Sequence, residues 1–226
     1  MTSIVYLGGE KMSSELLERL AKLYSSVVAD ALDGMGLRFQ VMAPRIRPLY
    51  PEAELVGYAF PVQAEETTRL SPEPYKRELW AVDAVRPDHV IVVGGAGQRG
   101  ALWGELLSTR AKMRGSRGAV IDGLTRDSRL IMAMKFPVFI SGISPADSHG
   151  RVDILAHDVK VKCAGVEVNP GDLVIADYDG VVVIPKDVAE EAIEKAEEKG
   201  RLEDAVREEL MRGVSVRDTY DKYGVI

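Results

Sequence analysis

The stretch Asp88-His-Val-Ile-Val-Val93 constrains the fold of this chain more than any other. It is almost continuously apolar and lacks the alternation of a strand with one wet face, so it predicts a strand buried on both faces. Strands of that kind belong to parallel-type sheets covered on both sides. The run passes directly into the glycine-rich segment Gly94–Gly100, after which a helix is predicted through about Arg114. A second buried strand follows at Gly118–Ile121, then a short helix over Asp127–Met134 and a strand over Pro137–Ser141. Strands and helices alternating in this way predict an α/β core.

The flanking segments are different in texture. Ser13 or Ser14 is placed to cap a helix that carries Leu16, Leu17, Leu20 and Leu23 at helical spacing, with Glu15 and Glu18 near its positive end. A second short helix is predicted from about Ser26 to near Gly34 and Gly36, and Pro44, Pro48 and Pro51 mark an irregular connection. Glu54–Gln63 reads as a strand and Leu79–Val85 as a short helix. From Gly150 short β runs follow one another at Val152–Leu155, Val159–Lys162, Val166–Val168, Leu173–Ala176 and Val181–Ile184. Turns such as Asn169-Pro-Gly-Asp172 separate them, which predicts a mostly antiparallel region. A long charged helix over about 187–212 and a short one over Ser215–Tyr223 complete the chain. No repeat or low-complexity linker interrupts the sequence, so one domain spanning 1–226 is expected.

Composition narrows the function classes. The net charge is −6 and no long basic run occurs, which argues against a nucleic-acid groove. A single cysteine, Cys163, leaves no intrachain disulfide framework and no cysteine zinc site, and His89, His149 and His157 are scattered. Any metal is therefore expected on oxygen ligands, which favour Mg²⁺, Mn²⁺ or Ca²⁺. The amino terminus has no basic start followed by a long apolar run, and no stretch reaches membrane-spanning length. A cytoplasmic protein without a membrane role is expected.

Two motifs compete for the functional site. Gly95-Ala-Gly97-Gln-Arg-Gly100 fits the dinucleotide pattern G-x-G-x-x-G, with Asp122 where a ribose-binding acid would fall. About 90 residues precede it, however, and only about two strand–helix alternations follow, so a tight turn between strand and helix is the preferred reading. Trp103-Gly-Glu-Leu-Leu107 and Asp122-Gly-Leu-Thr-Arg-Asp127 carry more chemistry. Both follow predicted parallel strands, whose carboxyl ends are where open α/β folds hold ligands. A helix beginning near Gly104 presents free N–H groups and a positive dipole end to a small carboxylate. Arg126 brings a donor fork suited to a carboxylate or enolate oxygen, and Asp127 and Glu105 offer oxygen to a hard cation. The same residues also fit a solvated Arg126–Asp127 pair and a first-turn acid at Glu105.

Further segments fall in a recognisable order. Ser26-Val-Val-Ala-Asp30-Ala-Leu-Asp33, Gly94-Gly95, Ala101–Glu105 and Gly115–Asp127 are followed by Pro170-Gly171-Asp172, Asp177-x-Asp179-Gly180 through Pro185, and Glu203–Arg207. This order resembles the family that joins class II 4-hydroxy-4-methyl-2-oxoglutarate aldolases with the regulator of ribonuclease activity A. Catalytic members carry an acid, twenty intervening residues, then Arg-Asp; here Glu105 and Arg126 enclose Leu106–Thr125, which is twenty residues. The resemblance implies a layered α/β/β/α fold with a mixed sheet core, similar to swivelling phosphohistidine domains. It implies that Asp127 binds Mg²⁺ or Mn²⁺ directly, and that Glu105 holds it through water. It implies that the N–H groups of Gly104, Glu105, Leu106 and Leu107 receive a 2-oxo acid's carboxylate, and that Arg126 contacts its ketone oxygen. Cleavage of a 4-hydroxy-2-oxo acid to pyruvate is then expected, with oxaloacetate decarboxylation through the same pyruvate enolate. Asp30 and Glu203 match acidic positions supplied by a neighbouring subunit, which implies a homotrimer or a hexamer with sites at the subunit interfaces. The alternative in the same family is a non-catalytic protein that regulates a ribonuclease. Beside these residues, Asp122 and Gly123 are expected to shape the approach to Arg126, with the metal's water shell as the alternative for Asp122; His149 is expected as a plain loop residue, with pocket lining as its alternative, and Cys163 in packing. The loops Arg38–Arg47 and Thr67–Tyr75, which would meet the distal half of a substrate, carry no readable motif.

Overall fold

The computed structural model describes residues 9–226, with side chains from Glu15 onward. The apolar run forms β3 (His89–Gly94) at the centre of a nine-stranded mixed sheet, with every residue after His89 buried. Both neighbours run parallel to it, β2 (Leu55–Glu66) on one side and β5 (Gly118–Thr125) on the other. Beyond β5 lies the parallel β6 (Val138–Ile143), and the short β4 (Ala101–Trp103) pairs with the far end of β5. Antiparallel strands close both margins. These are β1 (Arg47–Pro48) on β6, and β10 (Leu173–Ala176) on β2, followed by β11 (Val181–Ile184). β2 is long enough to take β10 along its first half and β7 (Val152–His157) along its second. A separate hairpin joins β8 (Val161–Cys163) to β9 (Val166–Val168).

Side-chain alternation along β3 explains why the run is apolar throughout. Ile91 and Val93 pack with Phe60, Trp103, Ile121 and Phe136 in the core beneath α3 (Lys76–Ala84), α4 (Glu105–Met113) and α5 (Ser128–Ala133). Val90 and Val92 point the other way and meet Val120, Phe139 and the hairpin's Val161, Val166 and Val168. Each such side chain stabilises the fold by about 1.5–3 kcal/mol. A third core forms where α1 (Gly9–Leu20), α2 (Ser25–Gly34) and α6 (Ala189–Met211) cover β10 and β11, through Leu20, Val28, Leu32, Ile175, Ile184 and Ile193. The terminal helix α7 (Val216–Tyr223) packs back on α6 and is capped by Ser215, whose Oγ accepts the Asp218 N–H at 3.1 Å.

Several boundaries differ from the sequence expectations. Helix α1 begins at Gly9, so Ser13 and Ser14 lie inside it rather than at its cap; their side chains fall outside the described set. A serine caps only where the preceding backbone leaves the helix, and here Gly9–Met12 continue it. Helix α3 starts at Lys76 and β2 runs on to Glu66. The glycine-rich segment leads into strand β4 rather than directly into a helix, and β5 extends through Asp122–Thr125, which reads locally as a polar turn. That extension exists because Leu124 and Thr125 find partners in Ala101, Trp103, Gly142 and Ile143, pairings that a local pattern does not register.

Candidate active site

The carboxyl ends of β4 and β5 lie side by side and are tied together. The Arg126 N–H donates to the Trp103 carbonyl at 2.9 Å, and Thr125 Oγ1 donates to the same oxygen at 3.1 Å. Asp127 then takes a left-handed conformation, φ 57°, ψ 30°, at the head of α5. Aspartate tolerates that region better than most residues. The turn brings its carboxylate to the start of α4, where Oδ2 accepts the Glu105 N–H at 3.3 Å. Gly104 makes this approach possible: a Cβ there would stand 2.9 Å from Asp127 Oδ2 and 3.4 Å from Arg126 Cγ. Its own backbone is extended, so space rather than backbone freedom requires glycine.

Arg126 is held from two sides. Its Nη1 meets Asp147 Oδ1 at 3.0 Å and its Nε stands 3.8 Å from Asp127 Oδ2. Asp147 also accepts the Tyr75 hydroxyl on Oδ2. Burial pushes the Asp147 carboxyl up, but Tyr75, the N–H groups of His149 and Ser148, and Arg126 outweigh it and hold it below the ordinary carboxylate range. Next to it Ser148 Oγ donates to Glu78 Oε2 at 3.3 Å. The Glu78 carboxyl is pushed up to about 7, first by burial, with Asp147 and Asp153 adding to the shift and Ser148 and Arg126 opposing it. Glu78, Gly104, Leu107, Arg126, Asp127 and Asp147 line one cavity.

Glu78 escaped the sequence reading, although a signal was present. It stands three, four and seven residues before Ala81, Val82 and Val85, all buried, so a carboxylate occupies the apolar stripe of α3.

The other expected site residues divide. Glu105, Leu106 and Leu107 form the first turn of α4, with Leu106 exposed and first-turn N–H groups at its positive end. One of those donors, that of Glu105, already serves Asp127. The Glu105 carboxylate lies back along its helix, accepting Thr109 Oγ1 at 2.7 Å. Asp30 and Glu203 belong to another cluster, bridged by Lys199 Nζ at 3.0 and 3.5 Å, and Tyr24 donates its hydroxyl to Glu203. Burial and Glu203 push the Tyr24 phenol up to about 12. Tyr24 borders a cavity with Leu55, Asp88 and Arg117, at the amino ends of β2, β3 and β5. Within one chain, therefore, that cluster and Arg126 lie at opposite ends of the sheet. Asp122 faces the hairpin, where it accepts Arg45 at 2.8 and 3.1 Å and the Ala164 N–H at 2.9 Å, so it braces the β8–β9 turn. His149 stacks obliquely near Tyr75, and its buried Nε2 has no partner among the described residues. Cys163 is buried, its thiol pushed up by burial, in keeping with packing. Gly97 lies against the Glu66 side chain, which accepts the Gln98 N–H at 2.7 Å. With a strand rather than a helix next in the chain, this loop offers no helix end to a pyrophosphate.

A hard divalent cation fits the donors present. Among the described residues no three His, Cys, Asp or Glu side chains cluster as a complete ligand cage. Asp127 Oδ2 is engaged, and Oδ1 has no hydrogen-bond partner among the described residues. One free carboxylate oxygen suits Mg²⁺ or Mn²⁺, which keep several waters, and does not suit a structural zinc.

A family model described as RraA-like, Aldolase/RraA, matches residues 25–183. The chain belongs to this family. It is 33% identical over 195 residues to a Halalkalibacterium halodurans protein named "Putative 4-hydroxy-4-methyl-2-oxoglutarate aldolase", covering 86% of this chain and 87% of that one. An uncharacterized Methanocaldococcus jannaschii protein is 42% identical over 127 residues, covering 56% of this chain. The chain spans 61% of the length of that relative and 34% of another, Legionella pneumophila DlpA. The crystal structure of Streptomyces coelicolor RraAS2, described as an unusual member of the RNase ES inhibitor RraA protein family, superposes with a TM-score of 0.76 at 28% identity. It covers 85% of this chain and 96% of that one. The mixed α/β fold is thus that of the RraA-like family, as the sequence resemblance implied.

Proposed function

We propose that this chain is a divalent-metal-dependent lyase that cleaves a 4-hydroxy-2-oxo acid, of the 4-hydroxy-4-methyl-2-oxoglutarate kind, to pyruvate, and that also decarboxylates oxaloacetate. The observation that carries this reading is the Asp127 carboxylate lodged at the head of α4 beside Arg126. The names of relatives support it. First-turn N–H groups of α4 at Leu106 and Leu107 receive the substrate carboxylate, aided by the helix dipole. Arg126 faces the ketone oxygen, where negative charge grows as the C3–C4 bond breaks, and its fixed donors stabilise that charge. Asp147 holds the guanidinium in place from the opposite side. Asp127 would hold Mg²⁺ or Mn²⁺ directly and Glu105 through water, and the bound ion would supply Lewis-acid polarisation. Asp30 and Glu203 reach such a site only from a neighbouring copy, and the family resemblance implies that the active unit is a homotrimer, alone or paired as a hexamer, with sites at its interfaces. The exposed Leu106, Leu130 and Ile143 around the site fit coverage by that neighbour.

The test is pyruvate release from oxaloacetate and from 4-hydroxy-4-methyl-2-oxoglutarate, with Mg²⁺ or with EDTA, for wild type and Asp127→Ala. Turnover that requires metal and falls at least about 100-fold in the variant is expected. Wild-type release no faster than the metal-only background overturns the reading. It would favour the second one, a binding protein acting on a ribonuclease, for which the RraAS2 likeness speaks.

A further inference from the structure

We propose that Glu78 is the acid–base residue that exchanges a proton with C3 of the pyruvate unit, an inference that rests on the lyase reading. The geometry carries it. Glu78 projects from α3 into the same cavity as Gly104, Arg126 and Asp127. It also borders a small apolar cavity with Leu102, Trp103 and Ile154. The groups that face it come from each neighbouring element: Ser148 and Asp147 from the loop after β6, Arg126 from the end of β5, Asp153 from β7, and Arg69, Tyr75 and His149, which line a further cavity with it.

The other acids around the cavity are committed elsewhere. Asp147 is paired with Arg126 and Tyr75 and stays ionised. Asp127 lies against the head of α4, and Glu105 accepts from Thr109. Burial among apolar walls penalises the charged form of Glu78 and pushes its carboxyl up to about 7. A carboxyl that titrates near the working pH is suited to proton transfer in both directions.

The step balances within the site. Once the C3–C4 bond has broken, the enolate electrons form a new C3–H bond with the Glu78 proton while the C2 carbonyl reforms. The carboxylate left on Glu78 recovers a proton from solvent, matched by the proton that the C4 hydroxyl gives up as the second carbonyl forms. In reverse, that carboxylate removes a methyl proton from pyruvate.

The experiment is exchange of pyruvate methyl protons for deuterium, followed by ¹H NMR in D₂O with Mg²⁺. Wild type, Glu78→Gln and Glu78→Asp are compared. Wild-type exchange is expected to rise with pH through a midpoint near neutrality, because the reverse step uses the carboxylate. Glu78→Gln should lose about 100-fold or more and lack that limb, while half-saturation by pyruvate changes little. Glu78→Asp should recover part of the rate. Exchange in wild type that persists undiminished in Glu78→Gln overturns this inference and leaves the lyase reading standing. No metal-dependent exchange in wild type overturns both. Should Glu78→Gln fail to fold, the wild-type profile decides: a rate that stays flat from about pH 6 to 8 overturns the proposal.

Discussion

Two carboxyls in one cavity are driven in opposite directions, and stability must follow. The folded-state pKa of Glu78 lies above its ordinary value, about 7 against 4.5. The folded protein therefore binds a proton that the unfolded chain has released across that interval, and stability falls as pH rises through it. Glu78→Gln removes the cost. It should stabilise the protein by about 2–3 kcal/mol near pH 8 and by almost nothing near pH 4, read from urea unfolding at each pH. Asp147 has the reverse sign. Its folded pKa is depressed by Tyr75, backbone N–H groups and Arg126 against burial, so its contribution is present above the unfolded value and is lost as pH falls through the folded one. Asp147→Asn should accordingly cost stability at pH 7 and cost progressively less on acidification. Matching profiles for the two variants would show that the cavity does not separate these carboxyls. The sequence singles out Arg126, Asp127 and Glu105 because they share a fixed spacing. It concealed Asp147 and Ser148, whose roles depend on a loop folding back over Ala101.

Elements were legible to the extent that their cause is local. The double-sided apolar run of β3 and the charged length of α6 announce themselves, since burial on both faces or one stripe is written at short period. Helix α2 was legible in span but not in what begins it. Its first N–H and the Ser25 hydroxyl both donate, at 2.7 Å, to Asp177, 152 residues away. That aspartate reads in sequence as a turn residue, and it is one as well, accepting the Asp179 N–H. Strand β4 was invisible because three residues become a strand only through a parallel partner. β4 delivers Gly104 to the head of α4. Gly104→Ala tests that junction. The added methyl meets Asp127 Oδ2 at 2.9 Å, so the carboxylate must move from the helix end. Metal-dependent pyruvate release should fall at least about 10-fold, with the midpoint for Mg²⁺ raised and the circular dichroism spectrum retained. An unchanged metal midpoint would mean that the head of α4 does not position Asp127.

At the scale of the whole molecule, the Asp30–Lys199–Glu203 cluster lies apart from Arg126, so on the proposed reading, in which Asp30 and Glu203 serve the site, one chain is not a complete site. The cluster sits where α2 and α6 cross, near the amino ends of the central strands, and the cavity sits at their carboxyl ends. No side-chain rotation spans a sheet. Closed cyclic symmetry offers a way to bring opposite ends together, because a head-to-tail interface sets one end of a subunit against the other end of its neighbour. Two defective proteins can then repair each other. On the proposed reading, Asp127→Ala lacks the metal ligand but keeps Glu203, and Glu203→Ala keeps the metal ligand but lacks the acid. Each alone should be inactive or nearly so. Dissociated, mixed in equal amounts and reassembled, they should regain activity, since random mixing leaves about a quarter of the interfaces with both residues intact. The same mixture without dissociation should remain inactive, which separates shared sites from simple addition. If the remixed pool gains nothing while native mass spectrometry confirms that subunits have exchanged, then Glu203 does not act across an interface. The proton transfers would in that case have to be found among residues already in the cavity.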